Sequence, residues 1–220
     1  MSTTFKPFGL KPVYHPSGLD RAVPFVGTNT FVTGTTFTAP YSLSAGETFY
    51  QYQPVSLTAT GQLTIANQTA ASGTVYGVFD GVEYTTAEGR RTVGKSASKA
   101  TLDAATQIVF WIFADPALVY EAQVNGSAST GSIGRQYNFD TTTGSRTIDG
   151  YTIGTGGAGF STTALLATPV ATTVQGQVRV VGLGREVSYP SGELNAWGDT
   201  YTIVQVQIAN NTFVAPKVSI

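Results

Sequence analysis

Apolar and polar positions alternate along much of the chain with the period of two that a half-buried strand requires. Between Pro54 and Ala66, Val55 and Leu57 precede Ala59-Thr60-Gly61-Gln62 and Leu63 and Ile65 follow it, which predicts a hairpin. From Val75 to Thr85 the apolar series Tyr76, Val78, Phe79, Val82 and Tyr84 is interrupted by Asp80-Gly81. That dipeptide predicts either a tight turn or a bulge within one long strand. Gln107 to Ala114 is apolar at both parities and predicts a central strand buried on both faces, Trp111 included. Asp115-Pro116 ends it in a turn. Leu118 to Val124 then alternates, with Leu118, Tyr120 and Ala122 on one face and Val119, Glu121 and Gln123 on the other. Glu121 is expected to pair with an arginine across the sheet, and Asn125-Gly126 closes the element with turn chemistry.

Weaker signals fill the rest. Phe25 to Thr38 sets threonines against Phe31, Val32 and Phe37, which suits an extended strand or an arm added to a sheet edge. Ser129 to Gln136 predicts a single helical turn. Thr141 to Gly159 reads as a long surface loop or a weak hairpin, and Val178 to Leu183 and Tyr201 to Ile208 as further strands. No window keeps a helical period over three turns, and no fixed-period repeat is present. The fold class is therefore mainly β: an antiparallel β-barrel or sandwich, carrying an extended proline-rich N-terminal arm.

That arm is residues 1–24, followed by a β-rich domain, residues 25–220, with room for a second small β subdomain. Pro7, Pro12, Pro16 and Pro24 each fix φ and remove a backbone donor. Among them stand Phe5, Phe8, Leu10, Val13, Tyr14 and Leu19, too many apolar groups for a solvated linker. Such a segment lies across another surface, its own domain or a neighbouring subunit. We expect the neighbour, with Phe5, Phe8, Leu10 and Tyr14 as apolar anchors, and removal of residues 1–24 to leave a folded β domain.

Composition sharpens this expectation. Charged residues are only 11% of the 220, against roughly 25% in ordinary soluble domains, so the usual charged coat is thin and much of the surface is expected to be covered in an assembly. A formal net charge of −1 gives no global attraction to nucleic acid or an anionic membrane. The absence of cysteine excludes disulfides and thiolate metal sites. No basic segment leads into an apolar run at the start, so a secretory signal is not expected, and the Ile108 to Phe113 stretch is too short to span a bilayer.

Catalytic chemistry finds little to use. Gly154-Thr155-Gly156-Gly157-Ala158-Gly159 matches the dinucleotide-binding glycine pattern, but a polar, Thr-rich stretch precedes it where a buried strand is needed, and Pro169 soon follows. His15 is the only histidine and sits in the arm beside Pro16, a poor place for a catalytic base, so it is read as a packing or interface residue. The carboxylates are scattered; Asp80 has turn chemistry beside Gly81, and no pair is marked for glycosidase work. Arg90-Arg91, with Lys95 and Lys99, is the one loose basic cluster, read as contact with an acidic patch on a partner. We expect no catalytic residue, no metal site, no cofactor and no enzyme.

Gly77-Val78-Phe79-Asp80-Gly81-Val82-Glu83-Tyr84, Phe113-Ala114-Asp115-Pro116, Val119-Tyr120-Glu121-Ala122-Gln123 and Asn195-Ala196-Trp197-Gly198-Asp199 occur in that order, after an opening Phe8-Gly9-Leu10-Lys11-Pro12-Val13. This order resembles the head decoration, or capsid cement, proteins of tailed bacteriophages. It covers most of the chain outside Thr141 to Gly159. The resemblance implies a β-rich virion protein on the outer capsid surface, made in the host cytoplasm. It would be a homo-oligomer, trimer or dimer, clamping neighbouring subunits of the phage major capsid protein, with no nucleic acid or membrane partner. Arg90 and Arg91 join the arm residues as expected partner contacts. Two alternatives fit the same residues: a phage tail or head-fibre protein, and a carbohydrate-binding β module with Trp197 in its platform.

Overall fold

The hairpin read around Gly61 is present in the computed structural model, where Leu57 faces Leu63 and the Thr58 amide donates to the Gln62 carbonyl at 2.9 Å. The structure describes residues 4–18, 21–28, 30–32, 36–66, 73–140, 147–148, 151–152, 161–185 and 194–213. The first ten strands in chain order are β1 (Lys11–Tyr14), β2 (Val23–Thr28), β3 (Thr30–Val32), β4 (Thr36–Thr38), β5 (Thr48–Tyr50), β6 (Gln53–Leu57), β7 (Leu63–Ile65), β8 (Gly77–Thr85), β9 (Arg91–Gly94) and β10 (Ser96–Ser98). One short helix, α1 (Lys99–Asp103), follows, and the Ser98 hydroxyl caps it by accepting from the Thr101 amide at 3.2 Å. Then come β11 (Gln107–Phe113), β12 (Val119–Gln123), β13 (Gln136–Tyr137), β14 (Thr147–Ile148), β15 (Tyr151–Thr152), β16 (Val178–Leu183) and β17 (Ile203–Ile208).

The protein is mainly β, with antiparallel sheets. A five-stranded sheet runs β1-β12-β17-β16-β13, and a six-stranded sheet runs β2-β11-β8-β6-β7 with β9 also paired to β8. Strands β3 and β4, β5 and β10, and β14 and β15 form separate two-stranded pairs. Among the described residues neither large sheet closes on itself, so the arrangement is sandwich-like rather than a barrel.

Each large sheet has its own apolar cluster, and β8 and β11 serve both. Tyr120, Ala122, Val178, Val180, Val204 and Val206 gather on the five-stranded sheet together with Val78 and Phe113. Phe79, Phe110 and Ile112 face the other way, into a cluster with Phe49 and Leu102. There Phe49 lies 5.5 Å from Phe79 and 5.4 Å from Phe110 between ring centroids. A bulge also lets Phe79 and Val82, three positions apart, face the same cluster. Trp111 stands opposite Gly81 but Ile112 opposite Phe79, leaving Asp80 as the extra residue. Of the two outcomes open for Asp80-Gly81, the bulge within one long strand is the one found.

Two expectations need correction, those for β11 and Glu121, and the sheet-edge reading of Phe25 to Thr38 is met at β2. β11 is central and its Ile108, Phe110 and Ile112 face is fully buried, but on the other face only the Phe113 end is covered, packed with Val78 against the five-stranded sheet, while Val109 and Trp111 are half-buried and Gln107 is exposed. Phe25 to Thr38 is three short strands, of which β2 adds to the edge of the six-stranded sheet of its own chain. Glu121 accepts the backbone amide of Arg185 at 2.9 Å, so its partner is main chain and not a guanidinium. The helical turn expected within Ser129 to Gln136 is a single 3-10 turn at Thr130–Ser132. The 154–159 glycine run lies outside the described residues.

Candidate functional site

The N-terminal segment is built into its own domain. β1 pairs with β12, placing Lys11 opposite Glu121 and Pro12 opposite Tyr120. Phe5 is fully buried, with its ring 5.1 Å from that of Tyr201 and in contact with Ala164. Leu10 is buried in the cluster of the five-stranded sheet. Between them the Gln123 side chain holds two backbone groups, accepting from the Lys6 amide at 2.8 Å and donating to the Thr4 carbonyl at 3.0 Å. Phe5 and Leu10 are therefore not anchors waiting for a neighbour, which corrects the arm as a clamp at these two positions. Burying them within the chain gains apolar transfer energy with no association entropy to overcome. Phe8 is half-buried, and only Tyr14, 47% exposed at the end of β1, keeps an outward surface.

His15 is half-buried in the same segment. Its Nδ1 accepts from the Ser17 amide at 3.0 Å, and its Nε2 lies 3.1 Å from an Asp115 carboxylate oxygen. The ring thus sits between the end of β1 and the turn after β11, with Nε2 buried beside that carboxylate but outside hydrogen-bond geometry. This is a packing role, as the residue's position suggested.

An open apolar surface lies on the outer face of the six-stranded sheet, beyond the end where Val78 and Phe113 pack against the other sheet. Register places Val93, Glu83, Val109 and Val26 in one row across β9, β8, β11 and β2. The adjacent row on that face sets Gly81, Trp111 and Pro24 side by side. Val93 and Val26 are 72% and 70% exposed, unusual values for valines that open opposite ends of one row. Gly81 has no side chain to shield the indole, and none would fit, since a Cβ there would stand 2.9 Å from the Gly94 carbonyl oxygen. Next to this apolar strip is a shallow cavity of about 190 Å³ lined by Glu83, Tyr84, Thr85, Arg91, Gln107 and Val109.

Arg91 belongs to this face and forms an ion pair with Glu83. Arg90 is exposed in the β8–β9 turn beside it. The structure therefore brings the two arginines to one surface, but not together with Phe5, Leu10 or Tyr14, which belong to the five-stranded side. Arg91 is already neutralised in part, so the surface presents more apolar area than free positive charge. Sequence reasoning missed Val26, Val93 and the outward-facing Trp111. Their common face is a matter of cross-strand register, which joins residues far apart in the chain.

Two further ion pairs lie elsewhere among the described residues. Asp80 meets Lys95 at 3.1 Å and Lys99 meets Asp103 at 2.7 Å one helical turn away. Asp103 also accepts from the Tyr41 phenol at 2.7 Å, and burial together with this carboxylate pushes the Tyr41 pKa up. Among the described residues no three histidine, cysteine, aspartate or glutamate side chains gather as metal ligands. Compared with known proteins, the chain matches no family model, no curated sequence and no solved structure.

Proposed function

We propose that this is a virion structural protein of the capsid-decoration kind, which docks through the outer face of its six-stranded sheet. The observation that carries the reading is the row of Val93, Glu83, Val109 and Val26, open at both valine ends, beside Trp111 and Pro24. An exposed apolar strip on a rigid sheet is a surface for another protein. Among the described residues the charges within the strip, Glu83 and Arg91, pair with each other, so the partner is an uncharged or mixed protein surface rather than a polyanion. A subunit of the phage major capsid protein answers that description, and Arg90 supplies a polar contact beside the strip. Homo-oligomers, trimers or dimers, fit the thin charged coat. Each contact can be modest because repetition over a closed shell raises the effective concentration.

The role of the N-terminal segment changes in this reading. It ties the two sheets and stiffens the docking body instead of reaching across to a neighbour. A tail or head-fibre location would use the same face. The carbohydrate-module alternative draws less support, because Trp197 packs against the five-stranded core and leaves no second free indole.

The test is sedimentation of purified protein with expanded phage shells. The wild-type chain should co-sediment at a fixed ratio to the shell subunits, and Val93→Lys with Val26→Lys should remain in the supernatant while keeping wild-type circular dichroism. Undiminished binding by the double variant would refute this face as the contact.

A further inference from the structure

We infer that a second site, on the far edge of the five-stranded sheet, binds a compact hydroxylated carboxylic acid of about one sugar residue. A cavity of about 310 Å³ opens there between the 3-10 turn and the segment at Ala167 to Pro169. Ser127, Ser129, Ser132, Arg135 and Tyr137 line one side, and Pro169 the other. Its size falls at the small end of ligand pockets.

Three observations specify the ligand. The Arg135 side chain is exposed and has no carboxylate partner among the described residues, so the cavity holds an uncompensated guanidinium. A guanidinium presents a planar fork that matches a carboxylate in bidentate fashion. One cation balances one carboxylate, whereas a phosphate dianion would remain half neutralised. Ser132 is 5% exposed, and its hydroxyl accepts from the Tyr137 phenol at 2.9 Å. No described group takes the Ser132 proton in return, so a donor at the cavity floor awaits an acceptor such as a ligand hydroxyl. Ser127 and Ser129 add exposed hydroxyls on the rim, and Pro169 an apolar wall for a ring's C–H face.

The walls are held in place before any ligand arrives. The Asn125 amide donates to the Leu165 carbonyl at 2.8 Å, Leu166 to Asn138 at 2.9 Å, and Val170 to Gln136 at 2.9 Å. The Ala128 amide donates to the Thr202 hydroxyl at 3.0 Å. At Gly126 the walls approach so closely that a Cβ would stand 2.7 Å from that of Ala167. A site fixed in this way loses little ordering entropy on binding. This inference is independent of the capsid-docking face, which lies on the other sheet.

The test is titration of the full-length ¹⁵N-labelled chain by NMR with D-glucuronate, D-glucose, acetate and inorganic phosphate, and with acidic oligosaccharides to separate a free acid from a polymer end. Glucuronate should shift the amides of residues 127–137, and glucose and acetate should bind more weakly. Arg135→Ala should weaken glucuronate by ~10-fold or more, and Arg135→Lys less. Ser129→Trp, at an exposed position, should fill the cavity and block binding with the fold intact. Equal affinity in Arg135→Ala, glucose binding as well as glucuronate, or phosphate binding in preference to glucuronate would each overturn the assignment.

Discussion

Gly9 lies against Tyr52 so closely that a Cβ on residue 9 would stand 2.3 Å from the Tyr52 carbonyl oxygen, the oxygen that accepts the Leu10 amide at 2.8 Å. Both residues have left-handed backbones, with φ of 79° and 65°. The Tyr52 amide in turn donates to Phe79 in β8 at 2.7 Å. This junction fastens the segment leading into β1, on the five-stranded sheet, to the strands of the six-stranded one.

Gly9→Ala should therefore be strongly destabilising. A left-handed alanine alone costs about 1–2 kcal/mol, and the steric conflict with backbone adds to it. Urea unfolding should show a loss of about 2 kcal/mol or more, and a midpoint equal to wild type would disprove the close approach.

The Gln123 carboxamide should be what keeps residues 4–6 on the domain. Gln123→Ala strands the Lys6 amide and the Thr4 carbonyl and should remove about 2 kcal/mol. Hydrogen exchange at residues 4–10 should accelerate well beyond that of β11, and unchanged protection would count against the tether. Deleting residues 1–10 uncovers the Leu10 site in the core and should yield an aggregating chain, not the intact domain expected of a detachable arm.

Alkaline pH should weaken the fold through Tyr120. Burial, helped by the Asp115 carboxylate, raises the phenol's pKa in the folded state, where its hydroxyl donates to the Phe113 carbonyl at 3.2 Å. A raised folded-state value favours folding fully below the unfolded tyrosine value of about 10, and that contribution is lost as the pH climbs past it. Between about pH 9 and 11 the wild-type chain should lose stability more steeply than Tyr120→Phe. Parallel curves for the two proteins would rule this out.

Val93→Lys should alter surface character without touching stability. At 72% exposure the side chain contributes little to the core, so the change in unfolding free energy should stay within about 0.5 kcal/mol. Retention on a phenyl column should fall distinctly. Unchanged retention would mean that the outer row does not dominate the apolar surface.

Much of the secondary structure was legible because local rules governed it. Period-two alternation marked β6, β7 and β12; Ala59 to Gln62 carried its own turn chemistry; and Asp80-Gly81 announced the irregularity that became a bulge. Phe5 and Leu10 were correctly singled out as residues needing cover, yet the sequence left open whose surface would provide it. The answer depended on Gln123 and Tyr52, more than forty positions away, offering backbone partners in the right places.

Trp111 shows the same division. Its strand was plain from composition, but an apolar run reads alike whether one face or two are covered. The sequence by itself determined that the chain is mainly β, poor in charge and free of thiol chemistry, since these follow from residue types and nearest-neighbour periodicity. Only the tertiary structure decided that the N-terminal segment closes on its own domain and that Val26, Val93, Val109 and Trp111 share one open face. Long-range register sets both, and no local pattern encodes which strand a given edge will meet.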